Sequence, residues 1–278
     1  MVITAAILLG LVFGAATFLP ISASGHLAIL QNLFGLSIGE SGQPFLELML
    51  HLGTLLAVCI LYHRDIGRML CEFIGFFRDG YRIAPGQTRP APERRLLLML
   101  IISTLFLLFP LAFYSYIKQL AEHLVFIGIA LMISGVILFL TSFSDYGKKN
   151  EKSMTVFDAA VIGVAQAVAV IPGISHIALT LTVGMFVGLE WKYAVRYSML
   201  LSFFSIFGIT IMSLVRALGQ EITVDMVSGG VLAMLFATAA ACAGIVALRT
   251  LVRNGTVHYV SCYCAFFGIL TIVLTFVL

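Results

Sequence analysis

The sequence is short of charge. Asp, Glu, Lys and Arg make up 10% of its 278 residues, against 61% hydrophobic residues, where a soluble domain carries about 25% charged residues. That deficit excludes an ordinary soluble enzyme. The five cysteines (Cys59, Cys71, Cys242, Cys262, Cys264) lie in or beside apolar runs, lack the paired spacing of a zinc site and read as small buried apolar groups. Met1-Val2-Ile3-Thr4 carries neither a basic flank nor a small-residue cleavage site, so no removable signal peptide is expected.

What is present is hydrocarbon. Apolar runs of spanning length occupy 45–62, 95–116, 121–142, 194–216, 227–248 and 257–278. Two further runs, 3–36 and 157–188, are interrupted at Pro20 and Pro172. The fold expected is an all-α polytopic membrane protein, a single membrane domain of six transmembrane helices and two re-entrant helix pairs. With the 63–95 loop placed inside, 14 of the 16 basic residues fall inside and Lys118 and Arg216 outside, as the positive-inside bias requires. The first broken run then enters from outside and the second from inside, each followed by three spanning helices: an inverted-topology repeat over about 1–142 and 157–278. The stretch 78–95, with Pro85, Gly86, Pro90 and Pro92, reads as a connector.

The breaks read Pro20-Ile21-Ser22-Ala23-Ser24-Gly25-His26 and Ile171-Pro172-Gly173-Ile174-Ser175-His176. Non-helical backbone at membrane depth is tolerated only inside protein or around a wet cavity, and broken helices expose N-termini that bind anions such as phosphate. The expectation is one shared anion site. Ser22, Ser24, Ser175 and Thr180 supply hydroxyls, Gly25 and Gly173 supply room for backbone, and His26 and His176 supply imidazoles. Glu47 is read as the embedded acid. It lies four residues before His51, on the same helix face; the pair is either polar glue between helices or part of the site, as a metal ligand or by tuning a histidine. Arg196 opens a spanning helix and is a candidate phosphate contact. His63, His123 and His258 read as interfacial, and Asp158 as a helix N-terminal charge.

At these residues the chain resembles the undecaprenyl-diphosphate phosphatase family, integral membrane phosphatases of the bacitracin-resistance type. Phe18-Leu19-Pro20-Ile21-Ser22-Ala23-Ser24-Gly25-His26 is similar to the family's F-L-P-[VI]-S-S-[TS]-G-H, and Glu47 through Thr54 to its acidic residue followed by L-[HQ]-L-G-[ST]. Gln166 through Thr180 resembles its Q-x-x-A-x-[IW]-P-G-x-S-R-S-G-x-T block, and Ala194 through Leu201, with Arg196, its A-A-R-F-S-F-L-L segment. The resemblance implies the same inverted-repeat fold, in a bacterial plasma membrane with its site open to the outside. It implies removal of the terminal phosphate of undecaprenyl diphosphate to recycle a cell-wall lipid carrier, with a divalent cation, Mg²⁺ or Ca²⁺, as cofactor. The partners implied are a lipid-linked phosphate or diphosphate and membrane lipids, not nucleic acid; a homodimer is compatible with the sequence.

The chain departs from the pattern at several positions. Phe13 and Thr17 stand where the family has a pair of Glu, Ala23 where it has the second Ser, and His176, Ile177 and Ala178 where it has Arg, Ser and Gly. Tyr263-Cys264 stands for its Tyr-Arg. Diphosphate chemistry rests on clamping negative charge. Two readings therefore stand: a phosphatase with a rearranged site in which His26, Ser24 and Glu47 carry the chemistry, or a non-catalytic relative that binds or translocates a polyprenyl phosphate or another anion. A small-solute or cation transporter built on the His/Glu cluster is a third.

Overall fold

The computed structural model describes residues 2–35, 43–79, 92–144 and 147–277. Thirteen α-helices run through these residues in chain order: α1 Val2–Phe18, α2 Ala23–Phe34, α3 Gln43–Leu61, α4 His63–Asp79, α5 Pro92–Leu105, α6 Leu108–Leu111, α7 Tyr114–Gln119, α8 Leu124–Leu140, α9 Val156–Val168, α10 His176–Phe186, α11 Trp191–Ala217, α12 Val224–Arg253 and α13 Val260–Val277. Among the described residues no strand forms beyond a bridge between Lys149 and Leu189. Six segments are long and apolar enough to cross a membrane: Gln43–Leu61, Pro92–Leu111, Leu124–Phe143, Trp191–Ala217, Val224–Arg253 and Val257–Val277. This is a multi-pass membrane protein.

Each spanning segment overlaps an expected run, with two differences. The run at 95–116 yields α5, a break and α6, because Pro110 has no amide hydrogen to give the preceding turn. The loop expected over 63–95 begins instead as α4, an amphipathic helix whose Ile66, Met69, Leu70, Phe73 and Ile74 recur at helical spacing; residues 80–91 lie outside the described residues. Two cysteines also differ from expectation: Cys71 and Cys262 are exposed.

Apolar surface is no driving force among helices already in lipid, so close backbone approach has to hold them together. Glycine and alanine do this along α1 and α12: a Cβ added to Gly14 would stand 2.2 Å from the Ala237 carbonyl oxygen, and one on Gly10 2.5 Å from that of Ala233. Gly53 of α3 meets the Met234 carbonyl in the same way, at 2.5 Å, while Gly128 of α8 faces Gly268 of α13.

The short helices pair into two hairpins. In the first, α1 runs alongside α12, and α2 ends where Gln31 bonds Gln43 at the start of α3 and Asn32 bonds the Ala121 carbonyl before α8. In the second, α9 begins beside α5, where Arg95 donates to the Met154 carbonyl. Its partner α10 ends at Gly188, whose carbonyl accepts the Lys149 amide. The open end of the first hairpin thus shares an end of the bundle with Glu47 and Arg216, and that of the second with Arg95, Lys149 and Arg196.

Candidate functional site

The turns closing the two hairpins are built alike. Past Phe18 the chain folds through Pro20, and Ser22 caps α2 by accepting the Gly25 amide at 3.3 Å. Past Val168 it folds through Pro172, and Ser175 caps α10 by accepting the Ala178 amide at 3.3 Å. A serine hydroxyl at this place satisfies one of the orphan amides of a helix start. Ser22 holds φ 69°, ψ 101°, the one non-glycine residue with positive φ among the described residues. Such a conformation costs about 1–3 kcal/mol and persists only where the surroundings over-determine it.

The two turns touch. The Gly173 amide points at Ser24 Oγ, 3.5 Å away, and Ser24 Oγ lies 3.4 Å from Ser22 Oγ. A Cβ on Gly25 would come within 3.1 Å of Gly173 Cα. Gly173 itself has φ 90°, and a Cβ there would stand 2.6 Å from that of Ala130. Ser134 of α8 braces the second turn, its hydroxyl accepting the Ser175 amide at 2.9 Å and facing the Gly173 carbonyl at 3.1 Å. Thr180 caps nothing outside its helix; its hydroxyl donates to the His176 carbonyl at 2.7 Å.

The histidines divide. His26 is buried and turned toward α13. Its Nδ1–H donates to the Ser22 carbonyl at 2.8 Å, its Nε2 meets the Tyr263 hydroxyl at 2.8 Å, and its ring stacks on Phe267 with centroids 4.8 Å apart. His51 lies against Phe13, edge to face at 5.1 Å, within electrostatic range of Arg216 and His176. His176 begins α10, and its Nε2 is buried with no hydrogen-bond partner in the protein. Buried polar atoms are almost always bonded, which sets this nitrogen apart from the two engaged nitrogens of His26.

Glu47 lies one turn into α3 and pairs with Arg216, Oε2 to Nη1 3.7 Å. The acid read as embedded is thus held at one end of the bundle by Arg216, the arginine expected at the outer end of its spanning run. Arg196 is drawn to the opposite end, where it pairs with Asp65 of α4 at 2.6 Å. The two arginines stand 20 positions apart on α11, about 30 Å of helix, and the partner of Arg196 is Asp65 rather than a residue of the paired turns.

The sequence carries the same signature from end to end. The model of the bacitracin resistance protein BacA family matches residues 6–270. The chain belongs to the BacA family. It is 34% identical to undecaprenyl-diphosphatase 1 of Shouchella clausii, over 96% of this chain and 95% of that protein. It is also 34% identical to the undecaprenyl-diphosphatase of Desulforapulum autotrophicum, over 98% of each, and 31% identical to that of Korarchaeum cryptofilum, over 97% of this chain and 98% of the relative.

The departures from the BacA pattern are structural facts here. Phe13 and Thr17 are each 4% exposed; Phe13 packs with Leu9, Leu46 and Leu50, and the Thr17 hydroxyl is spent on the Phe13 carbonyl at 2.7 Å. Apolar packing therefore fills the face where the pattern has two carboxylates. Mg²⁺ and Ca²⁺ call for several oxygen ligands. Among the described residues no three His, Cys, Asp or Glu side chains converge to hold a metal. Glu47 is engaged by Arg216, and both nitrogens of His26 are engaged within the protein. The donor set does not fit the divalent cation that the resemblance implies, nor a site built on Glu47 and His51.

Three participants were not singled out from the residues alone. Ser134 sits in an apolar helix where a lone serine reads as a filler. Arg216 and Tyr263 lie 169 and 237 residues from the partners they meet, Glu47 and His26. For Tyr263 the BacA resemblance gave the position but no role.

Proposed function

We propose that this protein hydrolyses undecaprenyl diphosphate at the membrane, releasing inorganic phosphate and the lipid monophosphate for another round of cell-wall carrier use. The observation that carries the reading is the contact between the two capped turns in a member of the BacA family: the N-termini of α2 and α10 bring amide N–H groups and serine hydroxyls to one point, a ready site for a phosphate anion. The roles follow from exposure. Ser24 is the open hydroxyl at the junction and contacts the terminal phosphoryl group, with Ser22, Gly25, Gly173 and Ser175 forming the cradle. His176 Nε2, unpartnered, is the nearest counterpart of an anion-binding arginine. In the reaction water is added across the phosphoanhydride, breaking the bridging P–O bond.

In this proposal both hairpins are re-entrant and related as an inverted repeat. The end of the bundle bearing Arg64, Arg68, Arg94, Arg95, Lys149 and Arg196 faces the cytoplasm, and the site opens to the outside of a bacterial plasma membrane. Burial of Phe13 and Thr17 favours a second reading, in which the same cradle binds or translocates the lipid phosphate without cleaving it.

Phosphate release from undecaprenyl diphosphate by the purified protein, across a panel of divalent metals, separates the two. Hydrolysis predicts release that falls about a hundredfold or more in Ser24→Ala, the scale of one lost transition-state contact. No release under any condition, with lipid phosphate still bound, overturns hydrolysis in favour of the second reading.

A further inference from the structure

The cytoplasmic connector contains a helix whose chemistry the proposed reaction does not use. α4 turns away from α3 at Tyr62 and lies across the start of α5, to which Arg94–Glu72 at 2.9 Å and Arg68–Glu93 at 3.6 Å fasten it. Met69 is buried against the bundle and Ile66 packs on the same core. The apolar arc does not stop there: Leu70, Phe73 and Ile74 continue it outward at 57%, 45% and 57% exposure. The opposite arc carries Arg64, Arg68 and Cys71, all exposed, beside a polar groove of about 500 Å³. Its two carboxylates, Glu72 and Glu93, are both matched by arginines, while among the described residues no carboxylate lies within ion-pair distance of Arg64.

We infer that α4 is an interfacial helix that binds the surface of an anionic phospholipid leaflet. Leu70, Phe73 and Ile74 enter the boundary between acyl chains and headgroups, and Arg64 and Arg68 contact lipid phosphates. Three observations fix that occupant. The exposed apolar arc is continuous with residues packed on the core of the membrane bundle, which sets it at the level of the bundle's end. The helix is polar on the face turned from that arc, the pattern of segments that lie in the membrane plane rather than cross it. The cation left over on the polar face sits where the headgroups of a leaflet bearing negative charge would be, within reach of a guanidinium. A soluble protein partner would leave the lipid-level arc unexplained.

Depth-resolved fluorescence in vesicles tests this. The full chain carries a single tryptophan, Trp191. In a Trp191→Phe background, Phe73→Trp, Leu70→Trp and Cys71→Trp are reconstituted into zwitterionic vesicles and into vesicles containing phosphatidylglycerol. The expected result is quenching of the Phe73→Trp and Leu70→Trp proteins by lipids brominated on the acyl chain, with shielding from aqueous iodide, and the reverse for Cys71→Trp. Equal iodide quenching at all three positions, with no bromolipid effect, overturns the inference. Brominated phosphatidylglycerol is expected to quench the Phe73→Trp protein more than brominated phosphatidylcholine at equal mole fraction. Arg64→Gln is expected to lower the anionic-lipid preference about fivefold, the contribution of one basic residue near such a surface. Equal quenching by both lipids before that substitution overturns the anionic choice. Because position 70 repeats the reading of position 73, one variant that fails to fold does not decide the outcome.

Discussion

Tyr263 closes the outer nitrogen of His26. The Ser22 carbonyl is an acceptor, so the neutral ring carries its proton on Nδ1, and the Tyr263 hydroxyl, 2.8 Å from Nε2, donates to the remaining lone pair. One contact thus ties the C-terminal helix to the first hairpin and sets the tautomer, while Phe267 fixes the ring plane. His26 is thereby a member of the scaffold of the turn, and its ring becomes available to a substrate only if Tyr263 moves.

The first prediction follows directly. Tyr263→Phe keeps the stacked ring and deletes the donor, at a cost of about 1 kcal/mol in stability. Nitrogen chemical shifts of labelled His26 should move toward a mixture of tautomers. If His26 takes part in the reaction, phosphate release changes with its pH profile; a shift in melting temperature with an unaltered profile assigns Tyr263 to structure alone.

A second prediction concerns strain at Ser22. Ser22→Gly relieves the positive φ and weakens the cap by only a few tenths of a kcal/mol, so it is expected to raise stability by about 1 kcal/mol. Ser22→Ala removes the cap, keeps the strain and should lower stability by about 1 kcal/mol. Thermal unfolding in detergent reads both, and the same sign for the two would rule out strain as the controlling term. Gly173→Ala, with φ 90° and a Cβ placed 2.6 Å from that of Ala130, should pry the two turns apart. Lipid-phosphate binding should then be lost while the remaining bundle stays helical by circular dichroism.

How much of this was legible in the sequence depends on the range over which each signal acts. Hydrophobic runs are local and long, so all six spanning segments appear where the pattern puts them, and Pro20 and Pro172 mark the two turns because proline acts on its own backbone. Helix caps are local too: Asp158 reads as an N-terminal charge and forms a reciprocal capping box with Thr155. The amphipathic period of α4 was also there to be read, but its six charged residues and the prolines further on made the whole stretch resemble a loop. Long side chains escaped altogether. Arg196 and Arg216 each have several ångströms of reach, and which carboxylate they find is set by helix packing, so Arg196 went to Asp65 and Arg216 to Glu47. The facing of His26 was hidden for the same reason, since Tyr263 approaches from a helix at the other end of the chain.

Asp158 gives a prediction in pH. Burial alone would raise its carboxyl, but hydrogen bonds from the Thr155 amide and hydroxyl and the Lys149 ammonium at 2.9 Å hold it below the usual carboxylate range. A carboxyl whose folded pKa is depressed contributes stability that is fully present above its unfolded pKa, about 3.9, and is lost as pH falls through the folded value. Asp158→Asn should therefore lower stability by about 1–2 kcal/mol near neutrality. The gap to the unsubstituted protein should stay level across about pH 6–8 and close below about pH 4. A gap that widens on acidification would contradict the assigned cause.

The unpartnered nitrogen of His176 carries the last prediction. It lies at the first turn of α10, where the BacA pattern places an arginine and where the helix start already favours an anion. An imidazole offers one donor at that nitrogen and bears charge only when protonated; a guanidinium offers a planar fork that is charged at every pH used. His176→Arg should therefore strengthen phosphate binding by the value of a charged hydrogen bond, about 1.5–3 kcal/mol. That is roughly tenfold to a hundredfold in affinity for inorganic phosphate or lipid phosphate, and any pH dependence that the histidine imposes should flatten. The readout divides the two functional readings. If only the missing arginine limits turnover, phosphate release from undecaprenyl diphosphate rises with affinity in His176→Arg. If the apolar packing of Phe13 and Thr17 has removed the catalytic machinery, affinity rises and release does not. Unchanged affinity would show that His176 does not face the bound phosphate, and the anion site would then rest on the amides and serines of the two turns alone.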